Sequence, residues 1–391
     1  MSEIKVNSIK GVGASAAAIT VNNSDGTCTA NLSNRQGKNL IINGAQLIAQ
    51  RGTSSTTNGY GSVDRFLVQY SGTNEAPTQS QVDVASGTTP YTLGFRKALK
   101  VTNGDQSGGA GSSDYIEIGH KIEAQDMANS GWNYTNTNSK ITLSFWVKSS
   151  IPQNFYGYIR TRDGTAQNFC IETGSLSQNI WTKITKVIPG NSNLQFNTDT
   201  TTNAVDKGLE IYFTLFMGTD LTNNKSLNSW AAFDGTNHSP DQTPTWYTTN
   251  DATFEITGVQ LEVGSVATDF EHRSFGQELA LCQRYYNKYL GPRRYPYING
   301  HNANKQGFLN FQYSVKMRTT PTVTFGSAVY IFSPQISVSH TVEQATAIGV
   351  DGFTTIQWPN QSGLGSHGDA KYGMLLAENN ANSFIETSAE L

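Results

Sequence analysis

The sequence predicts an all-β protein: an antiparallel jelly-roll sandwich, then a short linker helix and a second, smaller β-sandwich domain, with an extended N-terminal arm. Three observations lead there. Charged residues make up only 15% of the chain, against roughly 25% in an average globular protein, and Asn, Thr, Ser, Gln and 37 glycines supply the polarity instead. Apolar residues recur with period two in several short stretches. Between them lie runs such as TNGDQSGGAGSSD and RDGTAQN, rich in the residues that tight reversals need, with no helical pattern of about 12 residues, which excludes a parallel α/β sheet.

At 391 residues the chain exceeds the usual length of one domain. Residues 1–38 read as the arm, where small residues dominate. The turn NNSDG between TV and TCTA suggests a single hairpin, too short for a core of its own, so a partner must order it.

Residues 39–273 carry the sandwich pattern. In ITLSFWVK, Ile141, Leu143, Phe145 and Val147 face inward, and Thr142, Ser144, Trp146 and Lys148 face outward. The inward set of LEIYFTLFM is Leu209, Ile211, Phe213, Leu215 and Met217; Leu93, Phe95, Leu99 and Val101, and Ile116, Ile118 and Ile122, form two more. Phe254 and Ile256 have the opposite parity to Val259, Leu261 and Val263, which predicts a bulged, continuous strand with its irregularity at Thr257-Gly258.

Residues 274–306 read as helix and linker. Ser274 and Gln277 form a capping box, and Phe275, Leu279, Cys282 and Tyr286 follow at spacings of four, three and four. That gives one apolar helix face, a structural joint to be covered by the sandwich, by the next domain or by another copy of the chain. Residues 307–391 return to period two, with Leu309, Phe311, Tyr313, Val315 and Met317 on one face until Pro321 ends the run.

Several function classes are excluded. A net charge of −3 lacks the field that holds a phosphate backbone, so no nucleic acid is expected, and the cluster Lys288, Arg293 and Arg294, interleaved with Tyr289 and Tyr295, reads as a solvated linker. No run of 18 apolar residues exists, so no membrane insertion is expected. The start, MSEIKVNSIKGVGASAAAITV, is too poor in large apolar residues for a signal peptide. Cys28, Cys170 and Cys282 are far apart with no CxxC or Cys/His spacing, and the six histidines are scattered, so neither a metal nor another cofactor is expected. There is no GxSxG, HExxH or Walker A loop, and no GxGxxG after a strand, and no catalytic residue is assigned. Asp234, Asp241, Asp251, Glu255 and Glu262 are numerous enough for a glycosidase pair, but sequence does not fix their separation.

Aromatic residues carry the binding signal, because flat rings meet the C–H faces of sugars while nearby polar groups take the hydroxyls. Trp132, Trp146, Trp230, Trp246 and Tyr247 are the candidate glycan-binding residues, with the loop from Trp230 to Tyr247 the most ligand-like by composition. The competing assignment is that these rings cap the sandwich or fill a subunit interface.

NLIINGAQLIAQRGTS, YGSVDRF from Tyr60, LSFWVKSS, WTKITKVIPG and ITGVQLEVGSVATDFEHRSFGQELALCQRYY follow one another in an order that resembles tail fibre and other virion appendage proteins of bacteriophages, notably those of marine cyanobacteria. The resemblance spans roughly residues 39–290, and its last motif is the most specific. MSEIKVNSIK and NLSNRQGKNLIING are similar to the head of such proteins. It implies a carbohydrate-binding-module-like sandwich in a homotrimeric, non-enzymatic virion component made in the host cytoplasm. The arm would dock on other virion proteins of the tail, nozzle or adaptor, and the C-terminal domain would face a host-surface glycan or other receptor. The alternatives are a tailspike-like polysaccharide depolymerase, whose usual stacked short-strand repeats are absent from the sequence, and a stand-alone lectin module.

Overall fold

The period-two segments pair into two six-stranded antiparallel sheets that bury their apolar sides against each other. The computed structural model describes residues 8–10, 12, 19–21, 28–30, 37–197, 206–223, 225–290, 294–299, 306–327, 329–333, 338–341, 344–347, 349–357, 372–377 and 383–391. In the arm, β1 (Ser8–Ile9), β2 (Ile19–Val21) and β3 (Cys28–Ala30) form a small antiparallel sheet with β2 in the middle. Two pairings replace the single hairpin expected there, and the NNSDG turn lies outside the described residues.

The sandwich comprises β4 (Ser54–Ser55), β5 (Phe66–Ser71), β6 (Thr78–Asp83), α1 (Thr89–Thr92), β7 (Lys97–Thr102), β8 (Tyr115–Glu123), α2 (Ala124–Ala128), β9 (Lys140–Ser149), β10 (Asn154–Thr161), β11 (Gln167–Ser175), β12 (Thr182–Pro189), β13 (Lys207–Met217), β14 (Trp230–Ala232) and β15 (Thr253–Val263). The first sheet runs β14-β11-β10-β13-β8-β5 and the second β12-β9-β15-β7-β6-β4. Between them lies one core, with Ile118, Ile171, Ile211 and Phe213 from the first sheet against Leu99, Leu143, Phe145 and Ile256 from the second. The Phe145 and Phe213 rings meet edge to face with centroids 4.8 Å apart. Each such side chain contributes about 1.5–3 kcal/mol of burial.

Two inward sets depart from strict alternation. A register shift between Thr214 and Phe216 lets Leu215 and Phe216 both enter the core and sends Met217 to a cluster on the opposite face. In the Leu93–Val101 set, only Leu99 and Val101 reach this core; Phe95 packs on the outer side of the second sheet, and Leu93 is exposed because α1 precedes it. β15 is continuous and bulged, with its ladder shifting between Thr257 and Gln260. Gly258 sits at φ +61°, and a Cβ there would lie 2.7 Å from Cζ of Phe95, so conformation and space both demand glycine.

Residues 37–46 are fastened to the second half of β15 and to the segment after it. The Asn39 side chain accepts from the N–H groups of Ile41 and Leu261, each at 3.0 Å, and donates to the Val259 carbonyl at 3.2 Å. Asn43, in the left-handed conformation, donates from its side chain to the Ile48 and Asp64 carbonyls, both at 2.9 Å. The Arg273 guanidinium donates to the carbonyls of Asn39 and Ile41 and pairs with Glu271 and Glu278. The first and last sequence motifs of the sandwich are thus a single hydrogen-bonded joint.

Helix α3 (Phe275–Gln283) begins with the expected capping box, the Gln277 N–H on Ser274 Oγ at 3.4 Å and the Ser274 N–H on Gln277 Oε1 at 3.1 Å. Its buried face differs from the predicted one. Phe275 is 63% exposed and Leu279 half-buried, while Cys282 is buried and Tyr286 is buried beyond the helix end. The anchor is polar: the buried Glu278 carboxylate accepts the Asn43 N–H and meets Arg273, which rotates Glu278 rather than Phe275 inward.

After the helix the chain forms β16 (Tyr286–Leu290), β17 (Arg294–Asn299), β18 (Gln306–Gln312), β19 (Thr322–Phe325), β20 (Val329–Ser333), β21 (Val338–Thr341), β22 (Gln344–Ala347), β23 (Gly352–Gln357), β24 (Tyr372–Ala377) and β25 (Phe384–Ser388). These make a three-stranded sheet, β16-β25-β19, and a seven-stranded one, β21-β20-β24-β17-β18-β23-β22. The span read as linker therefore contains β16 and β17, and Lys288 of the basic cluster pairs with Glu386 at 2.9 Å. Phe311, Tyr313 and Met317 are buried as expected and Val315 is half-buried; the Leu309 side chain lies outside the described residues.

The residues after β25 return to the sandwich. Glu390 accepts from Arg65, which is 0% exposed, and from Arg51 at 3.1 Å. Arg65 lies 3.5 Å over the Tyr285 ring and Arg51 3.5 Å over the Tyr286 ring. Glu123 completes the cluster, taking Arg284 at 2.8 Å and the Tyr285 hydroxyl at 2.5 Å.

Gly258→Ala should therefore lower stability by about 1–3 kcal/mol in urea unfolding, since it adds backbone strain and a clash with Phe95. Gly276→Ala on α3, where an added Cβ meets nothing within 4 Å, should raise stability by about 0.5 kcal/mol.

Candidate functional site

A sandwich offers a ligand the outer faces of its two sheets, and here they differ. The first sheet's outer face is closed. Its middle carries Tyr158 and Tyr212, register partners whose rings stack with centroids 4.9 Å apart. Tyr212 lies across Gly119, where a Cβ would approach its ring to 2.7 Å. Below them Arg160 faces Glu210 and Glu210 faces Lys121; Arg162 pairs with Glu210 at 2.8 Å.

Two segments cover this face. The chain from 218 to 242 lays Leu221, Leu227 and Phe233 on it, with the Phe233 ring 3.5 Å from the Arg160 guanidinium, and the His238 carbonyl accepts from Asn168 at 2.8 Å. At the other end Lys121 Nζ donates to the Leu391 carbonyl at 2.8 Å and Tyr60 to the same oxygen at 3.4 Å. Burial pulls the Lys121 ammonium down to about 8 despite Glu210, and pushes the Glu117 carboxyl, which accepts from the Tyr158 hydroxyl at 3.0 Å, up to about 8.

Three of the candidate aromatic residues belong to the interior. Trp132 packs against Tyr134 and Phe196, Trp246 is fully buried in the main core, and Tyr247 stacks on Phe216 with centroids 4.4 Å apart while its hydroxyl donates to Asp114 at 2.9 Å. None can offer a ring face to a sugar. Trp230 is half-buried; its indole donates to the Pro189 carbonyl at 2.7 Å and its ring lies on Phe169, which ties down the sheet edge. The polar composition of the Trp230–Tyr247 loop concealed that its aromatic residues anchor it.

Trp146 is different. It points outward from β9 on the second sheet, partly exposed, and the structure adds Trp181, just before β12, which the sequence reading did not select. Both indoles rest on the outer cluster of Ala45, Val84, Phe95 and Ala98. Trp181 shares the outward parity of the exposed Lys183, Thr185 and Val187, so the alternation of WTKITKV could have revealed it. Lys183 is the register partner of Trp146, and Lys148 lies with Nζ 5.1 Å from the Trp181 ring centroid and 2.9 Å from Glu255. Phe270 and His272 continue the aromatic surface beside Phe95, with centroid distances of 4.9–5.1 Å. This face places two partly exposed indoles among ammonium groups on a doubly laddered sheet.

Four of the five candidate acids, Glu255 among them, have structural partners, and Asp251 is exposed in the left-handed conformation. Glu262 accepts from the Thr268 N–H at 2.8 Å and from Gln260 at 2.9 Å, Asp241 from Thr222 at 2.9 Å, and Asp234 from the N–H and hydroxyl of Thr236. Among the described residues no three His, Cys, Asp or Glu side chains gather in a metal-holding group, and no helix is long and apolar enough to cross a membrane.

No protein-family model and no curated protein matches the chain. Solved structures with a similar outline include the enzymatically active domain of bacteriophage CBA120 tailspike protein 4, at 12% identity and a TM-score of 0.31 over 58% of this chain and 21% of that one. They also include a CBM4 module, at 13% identity and 0.29 over 57% of this chain and 99% of that one, and a family 30 carbohydrate-binding module, at 10% and 0.23 over 58% and 87%. At these scores the likeness goes no further than the outline of a sandwich, and the chain spans about a fifth of the tailspike's length.

The closed face predicts a pH dependence. Folded Glu117 keeps its proton up to about pH 8, whereas the unfolded chain releases it near 4.5, so its contribution to stability is full below pH 4.5 and is lost as pH rises to 8. Glu117→Gln should leave the unfolding midpoint nearly unchanged at pH 4.5 and raise stability by on the order of 2–4 kcal/mol at pH 8. Parallel urea titrations of both proteins across that range check it.

Proposed function

We propose that this chain is a virion appendage of the tail-fibre type whose sandwich binds host-surface glycan through the outer face of its second sheet. The observation that carries the binding reading is the pair of partly exposed indoles, Trp146 and Trp181, side by side with ammonium groups on the sheet face left open while the opposite face is closed by the chain itself. Indole faces bind the C–H sides of sugar rings, and the ammonium groups of Lys148 and Lys183 lie where ring hydroxyls would follow. The reading as a virion component rests on the order of motifs between residues 39 and 290. The joint of Asn39, Asn43, Glu271, Arg273 and Glu278 gives the first and last of those motifs a shared structural reason.

Binding without hydrolysis is the activity that fits the acids. Glu255, Glu262, Asp234 and Asp241 serve ion pairs and turns, and Glu117 is buried beneath its covering loop. In this arrangement the arm docks on other virion proteins, the C-terminal region faces the receptor, and three copies assemble, covering exposed apolar side chains such as Phe275 and Val266.

Trp146→Ala and Trp181→Ala should each weaken binding to host-envelope glycan about tenfold, equivalent to ~1.4 kcal/mol, with the unfolding midpoint nearly unchanged. Binding that survives both substitutions in one chain would remove this face as the site. Sedimentation should give a trimer of 42.5 kDa chains, and Phe275→Asp should shift it toward monomer; a wild-type monomer would refute the assembly.

A further inference from the structure

We infer that the ligand of the Trp146–Trp181 face is a polyanionic glycan, a chain of sugars bearing carboxylate or sulfate groups. The inference rests on the glycan-binding reading and specifies the ligand's charge.

The outward side chains of four neighbouring strands carry it. Lys183 on β12 faces Trp146 on β9; Lys148 on β9 faces Glu255 on β15; Glu255 faces Lys100 on β7. At about 4.8 Å between strands, these charges span roughly 14 Å across the sheet. Three ammonium groups meet one carboxylate, and Lys148 already holds that carboxylate at 2.9 Å. Further along β15, Glu262 opposite Thr142 adds a second carboxylate, so the positive excess of Lys100 and Lys183 is confined to the end of the face at the indoles, on a chain whose net charge is −3.

The hydrogen-bond inventory agrees. A neutral sugar presents hydroxyls that donate as well as accept, and its sites supply carboxylates or amide oxygens to receive them. The strand residues here that could receive them are engaged internally. Glu255 is paired with Lys148, Gln260 Oε1 accepts the Glu271 N–H at 2.8 Å, and Glu262 takes Thr268 and Gln260. The charged groups left without a carboxylate beside the indoles are the ammoniums of Lys100 and Lys183, which are donors. That set suits a sugar ring whose substituent is an anion, the ring on the indole and the anion on Lys100 or Lys183.

The test uses the full chain with polygalacturonate and its methyl ester, which share the sugar backbone and differ in whether its carboxyl groups are charged, together with dextran sulfate and an oligothymidylate, at low and at physiological salt. Polygalacturonate or dextran sulfate should bind at least about tenfold tighter than the ester and lose about tenfold when salt rises. Lys100→Glu with Lys183→Glu should abolish that preference while leaving the unfolding midpoint unchanged, and Trp146→Ala with Trp181→Ala should weaken both ligands. Equal binding of polygalacturonate and its ester, lost in the tryptophan variant but not in the lysine variant, would overturn the charge assignment and leave the glycan site standing. Binding untouched by the tryptophan variant would overturn both. Oligothymidylate binding as tight as either polyanionic glycan, or no binding of either, would also overturn the assignment.

Discussion

A guanidinium with no access to water is the constraint around which this protein closes. Burial disfavours the charged form of Arg65, and the Glu390 carboxylate beside it more than offsets that. A second donor reaches the Lys121 carbonyl at 2.6 Å and the ring face of Tyr285 lies against the guanidinium. A buried charge that loses its partner costs several kcal/mol, so the start of β5, the exit from α3 and the residues after β25 are obliged to coincide. The consequence for architecture is that the C-terminal strands are tied to the sandwich where they begin and where they end. They leave through β16 and come back through β25, which lie side by side from Tyr286↔Ser388 to Leu290↔Phe384.

The same closure decides which sheet can meet a ligand. Residues 389–391 and the 218–242 segment cover the first sheet, and the groups beneath them show the effect: Glu117 is held neutral, and the ammonium of Lys121 is pulled down. On the second sheet the joint made by residues 37–46 and 268–278 packs Ala45 and Phe270 against Phe95, filling only part of the outer face. Gly258 lets Phe95 approach β15, and Trp146 settles at the margin of the covered area, partly exposed. The bulge thus reaches from a backbone irregularity to the exposure of an aromatic side chain.

Much of this was legible in the sequence, and what was not has a common cause. Period two identified the inward residues of β9 and most of those of β13; the parity change located the bulge; Ser274 and Gln277 gave the helix start. All of these are local signals. The errors concern partners far along the chain. Glu278 turned inward because its acceptor role lies 235 residues away at Asn43, and no helical-face argument on Phe275 and Leu279 could contain that. Arg65 and Glu390 are 325 residues apart. Trp132, Trp246 and Tyr247 were misread because a polar neighbourhood in sequence does not reveal whether a ring points out or is the peg that holds its loop down.

Trp146 shows what the local signal is worth when tertiary structure agrees with it. Its outward parity was read from ITLSFWVK, and the fold keeps that parity because β9 lies between β12 and β15, pinned on both sides by ladders running nearly its whole length. A ring on a doubly paired strand loses little entropy on binding, since its backbone is already fixed. Trp181 sits at the sheet edge, where β12 has a single neighbour, and the Lys148 ammonium over its face holds it instead. The two rings therefore have different supports, one the ladder and one a cation. An anionic ligand that drew Lys148 toward itself would loosen Trp181 and leave Trp146 in place, so charge and stacking on this face are coupled through a single lysine.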